Sequence, residues 1–262
     1  MFDTALEISR IKKFISETYD YQCTVNNRKQ VYITIHPDSE IEQMVVAVLA
    51  SKVIQKEFIT IINVAYGVDR RASVAASVSQ KIGCRAINFN MRKLFENLTG
   101  QRRDNRLKTG ELLQKTEFSL NSMMSFIGQY ICDVYDGFVI DGRCQSQWYL
   151  EGLPYMVNPN AWMNIFPFFY YTHSEVIGMG LELGCPENWF FSQAESSLFE
   201  RRNGLHYNML DDYLRNLPTD ISEKGKMAIE AKHRAALATL SGYTPQYIEN
   251  SSNDGKDFFS LY

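Results

Sequence analysis

The sequence has no Cys-x-x-Cys pair. Its five cysteines, Cys23, Cys84, Cys132, Cys144 and Cys185, are odd in number and far apart. That excludes a zinc knuckle and a thioredoxin-like redox motif, and it fits reduced thiols in a cytoplasm. The patterns Gly-x-Ser-x-Gly, Gly-x-x-x-x-Gly-Lys-Ser/Thr, Gly-x-Gly-x-x-Gly and His-Glu-x-x-His are all missing, which removes the commonest hydrolase, nucleotide and zinc-protease signatures. Histidine is scarce: His36, His173, His206 and His233 have no metal-ligand spacing to one another. The most apolar run, Trp162 to Tyr171 (WMNIFPFFYY), is too short to span a bilayer and contains Pro167. It reads as core or interface. The start, MFDTALEISRIKKF, has no signal-peptide apolar stretch. Basic charge is not in excess: the formal net charge is -3 and the pI about 5.9. Arg70–Arg71, Arg102–Arg103 and Arg201–Arg202 are scattered surface pairs. The expectation is a cytoplasmic protein with neither nucleic acid nor membrane as partner.

What is present is enough apolar residue for one sizeable core, 45% of 262 positions. Residues 4–19 carry a helical apolar stripe of Ile8, Ile11, Phe14 and Ile15. Val31 to Ile35, Phe58 to Val64, Cys84 to Phe89 and Gly137 to Ile140 read as strands, and FITIINV as one covered on both faces. Helical patterns run from Ser39 to about Ile54, Asp69 to Ile82, Met91 to Leu98 and Phe118 to Val134. Later ones cover His173 to Leu183, Asn208 to Leu214 and Ser222 to Leu240. Gly100 to Gly110 is polar, Gly-bounded and read as a mobile loop. Strands alternating with helices imply a three-layer α/β/α domain with a mainly parallel sheet. Residues 1–245 form that single domain, and 246–262 a mobile tail. Ligands in such sheets sit beyond the carboxyl ends of the strands. The candidate site loops are therefore 36–39, 65–69 and 141–147.

The segment Pro167 to Pro186, PFFYYTHSEVIGMGLELGCP, resembles a line of the ammonia-dependent NAD synthetases, members of the ATP-pyrophosphatase (PP-loop) class. Pro167, Val176 and Leu183-Gly184-Cys185-Pro186 hold its frame. Downstream, NGLHYNMLDDYL resembles the family's Leu-Gly-x-x-Tyr-x-x-Leu-Asp-x-x-Leu through Gly204, Tyr207, Leu210, Asp211 and Leu214. The resemblance runs to about residue 245. It implies an adenine nucleotide alpha hydrolase-like fold and a homodimer. It also implies a reaction: ATP and Mg²⁺ adenylate nicotinic acid adenine dinucleotide, and ammonia displaces AMP to give NAD.

The positions that would carry this chemistry are altered. The family's phosphate loop, Ser-Gly-Gly-x-Asp-Ser, is matched by Thr34, Ile35, His36, Pro37, Asp38 and Ser39. Asp38 and Ser39 survive, and both glycines are gone. Ile35 resists positive φ, and Pro37 has no N–H to offer an anion nest. Asp38, Glu40 and Glu42 crowd the start of the next helix with carboxylates. Ser39-x-x-Glu42 has the form of a capping box that closes the first N–H groups internally. The second motif, Gly-Thr-x-Asn-x-Ser-Glu, is matched by Asp141 to Gln147. Ser146 remains, but Gln147 replaces the Mg²⁺-binding Glu, and a neutral amide is a poor Mg²⁺ ligand. Asp141 offers a charge nearby. At the third site His173-Ser174 replaces Lys-Thr, and neutral imidazole lacks the fixed charge of a phosphate-clamping Lys.

The resemblance therefore implies Thr34, Asp38, Ser39, Ser146 and Ser174 as nucleotide-binding positions, and Asp38, Asp141 and Gln147 as metal positions. It also brings His36 and His173 toward one pocket as acid–base candidates. Cys144 reads as a small filler, with no cation to make it a nucleophile. Joint loss of these groups points to a pseudoenzyme that acts as a binding or assembly module, with protein partners met through its aromatics. The alternatives are a divergent ATP- and Mg²⁺-dependent NAD synthetase and a non-hydrolysing nucleotide sensor.

Overall fold

The structure, a computed structural model, describes residues 2–35, 40–65, 71–90, 130–132, 134–151, 164–191, 200, 203–240 and 246–247. The helix expected over Met91 to Leu98, the loop Gly100 to Gly110, most of the helix expected from Phe118 and the tail beyond 247 lie outside the described residues.

Helix α1 (Thr4–Thr24) leads into β1 (Gln30–Ile35). Then follow α2 (Glu40–Ala50), β2 (Ile59–Ala65), α3 (Arg71–Ile82) and β3 (Arg85–Asn90). After the undescribed stretch come β4 (Gly137–Ile140), α4 (Gln145–Glu151) and β5 (Asn164–Phe166). The remainder is α5 (His173–Glu182), the short α6 (Asn188–Phe191), α7 (Tyr207–Leu214), α8 (Glu223–Leu240) and β6 (Gln246–Tyr247). The strand order is β3-β2-β1-β4-β5-β6, and every pairing is parallel. The three-layer reading therefore holds. The boundary drawn at 245 falls just before β6, whose two residues pair with Ile165 and Phe166.

Strand periodicity assigns the two faces of the sheet. Val31, Ile33 and Ile35 of β1, Ile59 and Ile61 of β2, and Phe138 and Ile140 of β4 pack with α1, α2 and α5. The alternate residues, Tyr32, Ile62 and Val139, meet Ile131 and Cys132 on the opposite face. A further cluster joins α4, β5, α7 and α8 around Trp148, Phe166, Phe169, Tyr207 and Leu210. The aromatic run is thus core from Ile165 to Tyr171.

Strand order reverses between β1 and β4. The crevice of such a sheet opens at that switch point, beside the turn 141–144 that follows β4. One close approach brings a helix to it. Gly142 lets the turn after β4 touch α2, because a Cβ there would lie 2.5 Å from the Glu42 carbonyl oxygen. Helix α5 closes in a Schellman turn: Gly184 has φ +71°, its N–H donates to Leu181 O, and Cys185 N–H donates to Gly180 O.

The two glycines inside α5 are opposite in character. A Cβ on Gly180 would sit 2.5 Å from the Phe190 ring and 2.8 Å from Val45, whereas Gly178 faces open space. Gly178→Ala is expected to stabilise by about 0.5–1 kcal/mol. Gly180→Ala is expected to destabilise by about 1–3 kcal/mol through overpacking. Urea midpoints of the two variants check both signs.

Candidate functional site

The start of α5 is closed by side chains. Thr172 is the N-cap, and its hydroxyl accepts from Glu175 N–H while the Glu175 carboxylate accepts from Thr172 N–H. The next two N–H groups are taken by other elements. His173 N–H donates to Ser146 Oγ at 2.9 Å, and Ser174 N–H donates to Asp211 Oδ2 at 2.8 Å. Asp211, from α7, also accepts from both serine hydroxyls, at 2.5 Å from Ser146 and 2.6 Å from Ser174. Each hydroxyl has one proton to donate, and both protons go to Asp211. Burial raises the Asp211 pKa, against hydrogen bonds from Ser146 and Ser174 and the nearby His173 that pull it down.

Beside this cap lies a second cluster. His173 Nδ1 is 2.6 Å from Glu42 Oε1, and Cys144 Sγ donates to the same oxygen at 3.6 Å. Tyr207 stacks on the His173 ring at 3.9 Å. Gln147 Oε1 accepts from Cys144 N–H, and its Nε2 donates to the Tyr207 hydroxyl. All of these side chains are buried. Burial opposes charge on His173, but Glu42, helped by Asp211 and Glu200, outweighs it and raises the pKa. Burial, then Glu42 and Asp211, push the Cys144 thiol well up. Cys144 is therefore a protonated thiol among carboxylates and a poor nucleophile.

The third cluster centres on Asp141. Arg143 holds its carboxylate with Nε and with Nη2 at 2.5 Å, and Gln43 Nε2 donates to it at 2.8 Å. Gln43 Oε1 in turn accepts from Gly142 N–H. On the outer side of α5, Arg215 spans Glu175, Gln145 Oε1 and Tyr170 O.

The structure thus brings His173, Ser146, Ser174, Asp141 and Gln147 into one neighbourhood. Thr34 is buried within β1, in register with Ile62. His36, Asp38 and Ser39 lie outside the described residues, so the His36–His173 pairing does too. Glu42 Oε1, read from sequence as half of a cap with Ser39, faces His173 and Cys144. Asp141 is clamped by Arg143, and the Gln147 amide oxygen serves a backbone N–H. Those two groups do not fit Mg²⁺, which asks for free carboxylate oxygen; Asp38, the third metal candidate, lies outside the described residues. Asp211, Glu42 and Tyr207 are the residues that sequence reading did not name as site groups. The pattern Thr172-x-x-Glu175 is the one legible signal that this helix start is closed.

The His173–Glu42 pair makes stability depend on pH. A raised histidine pKa contributes stability that is full below the unfolded value of 6.5 and is lost as pH rises through the folded value. In chelator-treated protein, unfolding free energy should fall above pH 6.5, by at most about 1.4 kcal/mol per pH unit for this one proton. Glu42→Gln should flatten that fall, as read from urea unfolding across the pH range.

No family model matches the chain, and no curated protein matches it in sequence. Solved structures do match it in shape. An NMN synthetase from Francisella tularensis superposes with TM-score 0.69 at 15% identity, covering 91% of this chain and 96% of that one. An NH3-dependent NAD synthetase from Campylobacter jejuni, in complex with nitrate, gives 0.63 at 14%, covering 95% and 100%. An NAD+ synthetase from Burkholderia pseudomallei gives 0.59 at 14%, covering 90% and 92%. The fold is that of the NAD and NMN synthetases, and likeness at such identity speaks for the fold alone. No described helix is long and apolar enough to cross a membrane.

Proposed function

We propose that this chain is an NAD synthetase-like protein that has lost ATP-dependent amidation and works as a cytoplasmic homodimeric binding or assembly module. One observation carries the reading. The donors that a phosphate would need are engaged with acidic side chains of the chain itself. Ser146, Ser174 and the Ser174 N–H serve Asp211, His173 serves Glu42, and Arg143 serves Asp141. Adenylyl transfer relies on positioned donors and neutralising charge. A triphosphate entering here would meet Glu42, Asp141 and Asp211 with their donors already bound.

The test is calorimetric titration of the purified chain with ATP and Mg²⁺, with and without nicotinic acid adenine dinucleotide, alongside an ammonia-dependent assay for AMP. Neither heat nor AMP is expected. AMP formation would establish a divergent synthetase and overturn the reading. Saturable heat without AMP would make the protein a nucleotide sensor instead. Light scattering decides the homodimer.

A further inference from the structure

Glu42, Cys144 and His173 come from α2, the turn after β4 and the start of α5. Each offers one ligand atom, and these atoms all lie within 4.8 Å of one another. We propose that these three residues form a binding site for Zn²⁺ or a similarly borderline-soft divalent cation.

The donor set carries the choice of ion. One thiolate, one imidazole nitrogen and one carboxylate oxygen suit zinc, which takes mixed S, N and O ligands tetrahedrally. A hard ion such as Mg²⁺ would want oxygens alone. Two of the three ligand separations, those that involve Glu42, are close to the ones needed. With Zn–N and Zn–O near 2.0–2.1 Å and Zn–S near 2.3 Å, tetrahedral ligand atoms sit about 3.3–3.6 Å apart. The Cys144–Glu42 separation of 3.6 Å already matches. The His173–Glu42 separation of 2.6 Å is a hydrogen bond, and has to open by roughly 0.7–0.8 Å.

Charge points the same way. Burial first, and then the carboxylates of Glu42 and Asp211, hold the thiol proton of Cys144 in place. A divalent cation would satisfy the same field. Binding releases the thiol proton and, where His173 is charged, its Nδ1 proton as well. The ion's two positive charges are then balanced by one thiolate and one carboxylate, with the imidazole neutral. The surroundings suit outer support: Tyr207 packs flat on the ligand ring, and Gln147 holds the Cys144 backbone. Three protein ligands leave one tetrahedral position open. The bound ion would pin α2 to α5 across the switch point.

The full chain, stripped with chelator, is titrated with Co²⁺ and then with Zn²⁺. The expected result is one equivalent of cobalt with a near-ultraviolet thiolate-to-cobalt charge-transfer band, which zinc abolishes. Cys84→Ser should keep the band and Cys144→Ser should lose it. Glu42→Gln keeps the thiol and can keep a hydrogen bond to His173, so it tests the site even where Cys144→Ser fails to fold. It should weaken cobalt binding by more than the roughly 10–100-fold that loss of an outer-shell partner causes. No saturable band in the intact protein, a band that survives Cys144→Ser, or unchanged affinity in Glu42→Gln would each overturn the proposal.

Discussion

Asp211→Ala should destabilise the protein by about 2–3 kcal/mol, with the urea midpoint lowered and the slope unchanged. The carboxylate is buried and accepts from Ser146 Oγ, Ser174 Oγ and Ser174 N–H. Removing it leaves the buried Ser146 hydroxyl without its acceptor, at about 1–3 kcal/mol, whereas Ser174 is exposed and its hydroxyl and N–H can turn to water. The first turn of α5 also loses the negative charge that complements its dipole. These terms share one residue and do not simply add. Asp211→Asn should cost roughly half as much. Its carbonyl can still accept from Ser174 N–H, while the amide nitrogen faces Ser146 Oγ, which can accept but can no longer donate there. A loss below about 1 kcal/mol for the alanine variant would show that the serines find other acceptors.

Arg143→Ala should cost about 3–5 kcal/mol, for a different reason. Asp141 is 3% exposed. It is held by the guanidinium and by Gln43, and the same guanidinium lies over the Phe166 ring at 5.9 Å. Truncation leaves a buried charge with its cation gone. Replacing both partners removes that charge, so the double variant Arg143→Met with Asp141→Leu should be more stable than Arg143→Ala alone. Equal stability of the two would mean that Asp141 is solvated or protonated once Arg143 is removed. The paired variant also bears on function. If Arg143 is what keeps Asp141 from metal, Arg143→Ala should gain weak Mg²⁺ affinity while the double variant should not.

Much of the architecture was readable along the chain. The β-branched run FITIINV became β2 within a residue at each end, and Gly137–Ile140 matched β4. Alternation within YITI placed Tyr32 on one face and Ile33 on the other. Strand β5 was hidden inside the aromatic run because three residues before Pro167 are too few to show a period. Strand β6, two residues long, exists only because β5 offers it an edge. Helix α4 follows β4 after the turn 141–144, and its glutamines, serine and aromatics carry no helical stripe that sequence could reveal.

The sequence by itself determined the alternation of strands and helices that makes the layers, and the loss of glycines from the first loop. Those follow from backbone preferences and from the period of apolar residues, which act between near neighbours. Which polar groups are engaged was decided only by the tertiary structure. Ser146, Ser174 and Asp211 are separated by up to 65 positions, and Glu42 by 131 from His173. Hydrogen bonds and charge pairs depend on distances of a few ångströms in space. Parallel strands joined by helices bring those distant positions together at the ends of β1 and β4, and no spacing along the chain encodes that meeting.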